Sequence, residues 1–216
     1  MRQVSGAIRD SSLAFDLFNS TDVPINSFEA WATHFNQWAC RQMVSPRTLV
    51  GYSLGGRLAL HALASQPELW SRIIIVAAHP GLQSPVEKAE RLANDESWAQ
   101  RFIIEEWSTL LGSWNSQGVF AGSVKEPERR EQAYSRESLA KALRIWSLAN
   151  QGDLRQVISD HQDKITWVVG ERDEKFKAIA VELKAMAPKL NLQIVKNSGH
   201  RVLFDAPQEL GQLLFR

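Results

Sequence analysis

Three residues from distant parts of the chain, Ser53, Asp173 and His200, have the types and the order needed to activate a hydroxyl. Ser53 sits in Gly51-Tyr52-Ser53-Leu54-Gly55, after the apolar run Thr48 to Val50 and before a helix-forming run. A strand that turns sharply into a helix lifts a serine above its sheet and strains its backbone. Gly51 and Gly55 are expected to be glycine because a side chain two positions before or after the serine would collide with its neighbours. The helix N-terminus beneath Ser53 points free backbone N–H groups, that of Leu54 first, at developing negative charge. The alternative for Ser53 is a tight turn with no chemistry. A serine hydroxyl needs a base, and the base needs an orienting acid. His200 follows the last strand in Asn197-Ser198-Gly199-His200, and Asp173 follows an earlier one in Gly170-Glu171-Arg172-Asp173. Glu171, Asp163 and Asp205 are competing acids; Asp205, just before Pro207, is expected to cap the last helix instead.

The elements that must position these groups alternate. Leu13 to Phe18 reads as a short strand, and Phe28, Trp31, Phe35 and Trp38 recur at helical spacing behind a Ser27 N-cap, giving a helix to Gln42. Strand 47–52 and helix 54–65 form the elbow. Arg72 to Ala78 reads as a strand buried on both faces, and Lys164 to Val169 and Leu192 to Val195 read as further strands. Helices are expected near 174–187 and 207–214. Strand alternating with helix implies an α/β fold with a mostly parallel, doubly wound sheet. Residues 79–163 lack strand patterning, while 85–112, 127–134 and 136–149 look helical. A structureless loop of that length is rare, so this is an inserted helical cap. The expected division is core 1–78, cap 79–150 and core 151–216.

Bulk properties narrow the function. The 216 residues carry a formal charge of +1, with 44% apolar and 23% charged residues. That gives no electrostatic case for nucleic acid or anionic membrane. No apolar stretch reaches the ~20 residues of a membrane helix, and no signal peptide opens the chain. The single cysteine, Cys40, excludes an internal disulfide and is expected as buried filler; a cytoplasmic protein is the simplest reading. His34, His61, His79 and His161 lack metal-ligand spacing, so no metal or other cofactor is assigned. Four of the eight tryptophans, Trp98, Trp107, Trp114 and Trp146, fall in the cap, where helix packing is the usual use.

Several runs are more specific. Gly51-Tyr52-Ser53-Leu54-Gly55-Gly56-Arg57, His79-Pro80-Gly81-Leu82-Gln83, Ala89-Glu90-Arg91 and Gly170-Glu171-Arg172-Asp173-Glu174-Lys175-Phe176 together resemble one family. It is the 2-succinyl-6-hydroxy-2,4-cyclohexadiene-1-carboxylate synthases of menaquinone biosynthesis, enzymes of α/β-hydrolase fold. Trp114, Val119-Phe120-Ala121 and Arg129-Arg130-Glu131 extend the match through the cap. The resemblance implies a lyase, not a hydrolase. It would eliminate pyruvate from 2-succinyl-5-enolpyruvyl-6-hydroxy-3-cyclohexene-1-carboxylate, a small-molecule tricarboxylate, with Ser53, His200 and Asp173 as the base system. It further implies that Arg57, Arg91 and Arg136 bind carboxylates, with Tyr52 and Trp114 lining the pocket. The residues support Arg57 independently. It lies one helical turn after Ser53, and a guanidinium buried there is costly unless it meets an anion. Its alternative is a partner for an internal carboxylate; for Arg91 and Arg136 the alternative is a solvated cap face.

Two departures from the family pattern stand out. The His-Gly motif that follows an early central strand in the family is missing, as are the strands before Leu13, which would leave unpaired backbone at the elbow strand. Arg201 follows the base, where it would either lower the basicity of His200 or face solvent. Two other functions remain open at this level: a carboxylesterase or C–C hydrolase on the same triad, and a truncated, inactive fold that serves as an interaction surface. The oligomeric expectation is monomer or dimer.

Overall fold

The computed structural model describes residues 12–17, 26–124 and 126–214. Four apolar runs form one parallel sheet in the order β1-β2-β3-β4: β1 Thr48–Tyr52, β2 Arg72–Val76, β3 Ile165–Gly170 and β4 Asn191–Val195. The register pairs Gly51 with Ile75, Ile75 with Trp167, and Trp167 with Leu192. Because side chains alternate along a strand, β2 feeds two cores at once. Ile73 and Ile75 pack with helices α1 (Phe28–Gln42), α2 (Leu54–Ser65) and α7 (Glu174–Met186); Ile74 and Val76 pack with α8 (Val202–Asp205) and α9 (Pro207–Leu214). Each such fully buried aliphatic side chain contributes about 1.5–3 kcal/mol. This is the doubly wound α/β arrangement expected from the sequence.

Between β2 and β3 lies the helical layer: α3 (Pro85–Ile104), α4 (Trp107–Asn115) and α5 (Arg136–Ile145), then α6 (Arg155–Asp160) leading back to the sheet. Its third apolar cluster is built on Trp98, Ala99, Phe102, Leu110 and Ala140. Trp98 and Trp114 meet edge to face at 5.0 Å.

Local chemistry explains where boundaries differ from expectation. Helix 85–112 is two helices, because the Glu106 carboxylate accepts from the N–H groups of Ser108 and Thr109 and starts α4 afresh. Residues 126–130 are irregular and only Glu131–Ala133 form a short 3-10 turn. Pro127 biases its predecessor away from helix, and the Arg129 carbonyl accepts from Trp107 Nε1 instead of a helical amide. Helix α5 stops at Ile145, because side chains take its last carbonyls: Asn150 Nδ2 bonds those of Arg144 and Ile145, and Arg57 that of Trp146.

Three further expectations are corrected. Residues 12–17 are not a strand; Phe15 instead sets its ring edge-on to Trp31, Phe35 and Trp38 of α1, and Phe18 lies outside the described residues. Cys40 is exposed, one position past the buried Ala39 on α1. Asp205 ends α8, and its carboxylate accepts from Gly199 N–H at 2.9 Å and Val124 N–H at 3.0 Å, bracing the turn before His200. Strand β1 is an edge of the described sheet, and Val50 on it is 45% exposed.

His61 on α2 stacks on Phe28 at 4.5 Å, and burial pushes its pKa down to about 4. The unfolded chain therefore takes up a proton, from about pH 6.5 downward, that the folded chain refuses until about pH 4. Stability conferred by the neutral imidazole is full above that window and is lost as pH falls through it. Urea unfolding at about pH 7 and pH 5 should show His61→Leu losing about 2 kcal/mol less than the parent on acidification. An identical acid loss in both proteins would contradict the assignment.

Candidate active site

The elbow follows directly from the sequence. Ser53 has φ 51° and ψ −112°, held by its N–H donating to Val76 O at 2.8 Å and its carbonyl accepting from Arg57 N at 3.1 Å. A Cβ on Gly51 would run into the Gly55 carbonyl, so glycine is required there. The matching expectation for Gly55 fails: a Cβ there meets nothing within 4 Å, and the crowded second glycine is Gly56, whose Cβ would come within 2.7 Å of Ala78 Cβ. Ala77, just after β2, also has positive φ, 48°, and lines the same cavity as Ser53.

The three sequence-distant groups converge. His200 Nε2 is 3.2 Å from Ser53 Oγ, and His200 Nδ1 is 2.8 Å from Asp173 Oδ2. Asp173 caps α7, its other oxygen accepting from Phe176 N–H at 3.5 Å, which fixes the carboxylate facing the imidazole. Phe176 packs on the His200 ring at 4.6 Å, with Tyr52 and Phe120 at 5.7 and 5.9 Å. Arg201 does not face solvent: it is 4% exposed, its guanidinium lying 4.0 Å over Phe120 and donating to Asn115 Oδ1.

Above Ser53 lies a cavity of about 570 Å³ between the sheet and the helical layer. Leu54, Arg57, Arg91 and Trp114 line it, as do Ser53 and His200. Leu54 opens α2, so its N–H is among the first-turn donors left without an intrahelical partner. Two expected pocket residues lie elsewhere. Tyr52 is not in the lining; it packs behind His200, and burial raises its pKa well above the usual value. Arg136 is likewise outside the lining, donating to Glu131 and to the carbonyls of Phe102 and Glu105, where it closes the C-terminus of α3. It stands at the start of α5, and that places it over Trp107, 5.5 Å away.

Charge in the cavity is one-sided. Its lining carries the cations Arg57, Arg91 and Lys175 against one carboxylate, Asp95, which Arg91 holds at 2.7 Å. Arg57 is 8% exposed and has no carboxylate of its own: it donates to Trp146 O at 2.9 Å and Gln151 Oε1 at 3.3 Å. Burial, with Arg91 nearby, pushes its pKa down to about 9. Gln151 turns its amide nitrogen to the His79 carbonyl at 3.0 Å, so one side chain ties Arg57 to the segment after β2. Sequence reasoning missed Gln151 and gave Lys175 no role. A signal for Lys175 existed: a cation in the first turn of a helix opposes the helix dipole and asks for an anionic partner. Among the described residues no group of three or more His, Cys, Asp or Glu could hold a metal, and no helix is long and apolar enough to cross a membrane.

Comparison with known proteins agrees with this geometry. The alpha/beta hydrolase family matches residues 5–213. The 2-succinyl-6-hydroxy-2,4-cyclohexadiene-1-carboxylate synthase of Escherichia coli O1:K1 / APEC is 37% identical over 177 residues, covering 78% of this chain and 68% of that protein. The protein of the same name from Escherichia coli O8 (strain IAI1) is 35% identical over 197 residues, covering 89% and 69%. Among solved structures, MenH from S. aureus has a TM-score of 0.78 at 21% identity, covering 95% of this chain and 77% of that one. An esterase from Exiguobacterium antarcticum has a TM-score of 0.67 at 18% identity, covering 93% and 78%. At those identities the two structures speak for the fold alone.

Gln151 is buried with both ends of its amide bonded, so replacement by leucine strands a guanidinium donor and a carbonyl. Gln151→Leu is expected to lower the unfolding free energy by about 1–3 kcal/mol in urea titration. A loss below about 0.5 kcal/mol would show that water replaces the amide at no cost.

Proposed function

The chain belongs to the α/β-hydrolase family and, within it, to the 2-succinyl-6-hydroxy-2,4-cyclohexadiene-1-carboxylate synthases, and on that premise we propose that it eliminates pyruvate from the enolpyruvyl tricarboxylate with Ser53, His200 and Asp173 as the base system. The observation that carries the reading is the cavity above Ser53, with three cations to one carboxylate and one of those cations buried beside the elbow. A pocket with that imbalance suits a multiply charged anion and disfavours a neutral ester.

The chemistry follows from the two names. The substrate has its ring double bond at C3–C4 and the enolpyruvyl oxygen on C5; the product is a 2,4-diene. A proton therefore leaves C2, the double bond moves to C2–C3, a second forms at C4–C5, and the C5–O bond breaks. The enolpyruvate released takes up a proton on carbon to become pyruvate. Ser53 Oγ gives its own proton to His200 Nε2, 3.2 Å away, as it takes the proton from C2, and Asp173 orients the imidazole that receives it. Charge then develops on the succinyl carbonyl oxygen beside C2, where the Leu54 N–H at the start of α2 is the nearest type of donor the elbow supplies. Arg57 and Arg91 meet substrate carboxylates, and Trp114 closes the apolar wall. Arg136 and Tyr52 act on the cap and on His200 rather than on substrate in this reading.

The same reading divides the chain into core 1–78, cap 79–150 and core 151–216, and makes it a cytoplasmic enzyme of a small molecule, monomeric or dimeric, with no nucleic-acid or membrane partner. An exposed thiol at Cys40 is compatible with a reducing compartment.

Arg57→Ala separates this function from a general esterase. It is expected to lower kcat/KM for the tricarboxylate by roughly 100-fold or more, as loss of a buried charge-assisted contact does. Hydrolysis of p-nitrophenyl acetate, which carries no carboxylate, should fall far less. Parallel loss of both activities would favour the esterase.

A further inference from the structure

One lining cation and one lining histidine have no task in the scheme above. Lys175, in the first turn of α7, lines the cavity and makes no hydrogen bond or ion pair among the described residues. Its neighbour Lys177 is the lysine that pairs with Glu174, at 2.8 Å. An ammonium at a helix N-terminus faces the positive end of the dipole and gains nothing from it, whereas an anion in the cavity would complement both. His79 lines the same cavity. Its Nδ1 accepts from Gly81 N–H at 3.0 Å, which leaves the ring hydrogen on Nε2, and Nε2 has no hydrogen-bond partner among the described residues. Burial pushes the pKa of His79 down to about 4, and Lys175 is the strongest of the charges acting in the same direction. The imidazole is thus a neutral donor within the field of the lysine.

The position of the pair relative to the triad is set by Phe176. Its ring packs on His200 at 4.6 Å and meets His79 edge-on at 6.4 Å, so one side chain contacts both imidazoles. The His79 backbone is anchored as well, its carbonyl accepting from Gln151, which also holds Arg57. Arg91 is held by Asp95 at 2.7 Å, and Arg57 and Arg91 act on His79 more weakly than Lys175 does.

We infer that Lys175 and His79 form a second carboxylate subsite of this cavity, beside the Phe176 ring that also packs on His200; this subsite holds one carboxylate of the substrate other than those met by Arg57 and Arg91. The inference rests on the synthase reading, because only a substrate with several separated carboxylates fills both groups. A point charge from Lys175 and a directed N–H from His79 suit one carboxylate with two oxygens.

Isothermal titration calorimetry of the enolpyruvyl tricarboxylate into the full chain carrying Ser53→Ala, which blocks turnover, reads the subsite directly. Adding Lys175→Met is expected to raise Kd about tenfold, the size of one partly solvated charge-assisted contact. Lys175→Arg should restore binding to within about twofold, since the charge rather than the packing is what counts. Lys175 is exposed, so neither change threatens folding. His79→Phe should weaken binding by itself but add little to Lys175→Met, as expected for two groups on one carboxylate. An unchanged Kd for Lys175→Met beside normal binding by the parent overturns the subsite and leaves the synthase reading intact. Fully additive penalties overturn the pairing of the two residues. No binding by the parent itself overturns both.

Discussion

A guanidinium buried without a carboxylate is the constraint around which this molecule is arranged. Arg57 leaves water at a cost of several kcal/mol and recovers it only in part, through two neutral oxygens and the face of Phe28 at 5.5 Å. Those two oxygens belong to Trp146 and Gln151, at the end of the helical layer, while Arg57 itself belongs to the elbow helix. One cation therefore joins the serine-bearing helix to the end of α5 and, through Gln151, to the chain after β2. What stabilises the joint also keeps positive charge one helical turn from Ser53, with Arg91 close enough to be felt.

The triad depends on short-range devices of the same kind. Strain at Ser53 is tolerated because β1 and α2 fix the chain on both sides of one residue. Asp173 serves two roles with its two oxygens, capping α7 and orienting His200, so the acid cannot rotate away without costing the helix its cap. Asp205 holds the turn before His200 by accepting from Gly199 and Val124, which ties that turn to the segment after α4. His200 is thus held by its own loop, by the N-terminus of α7 and by the segment that ends at Val124.

Much of this was legible in the sequence, for physical reasons. The elbow, the order of serine, acid and base, and the alternation of strand and helix are local patterns, and local patterns survive folding. So does Arg57, since one helical turn from Ser53 fixes its face. What was not legible was decided by partners far along the chain. Tyr52 points behind the base because β1 alternates, and its neighbour Ser53 takes the cavity side. Arg136 was diverted by the open carbonyls at the end of α3, 31 and 34 residues upstream. Gln151 carries no motif at all; its role exists only because residues 94 and 72 positions away come to either end of its amide. Asp205 was misassigned for a similar reason, its oxygens preferring distant N–H groups to the helix beside it. The first strand of the expected order is irregular chain instead, with Phe15 packed on the aromatic face of α1.

The account stands on a hydroxyl made basic beneath a positively charged roof, and release of pyruvate from the enolpyruvyl tricarboxylate tests that most directly. Followed in a coupled assay, the chain should release one pyruvate per substrate consumed, and Ser53→Ala should slow the release by about 10³-fold or more. Pyruvate release that is undiminished in Ser53→Ala would contradict the account, as would steady consumption of the substrate by the chain without any pyruvate formed.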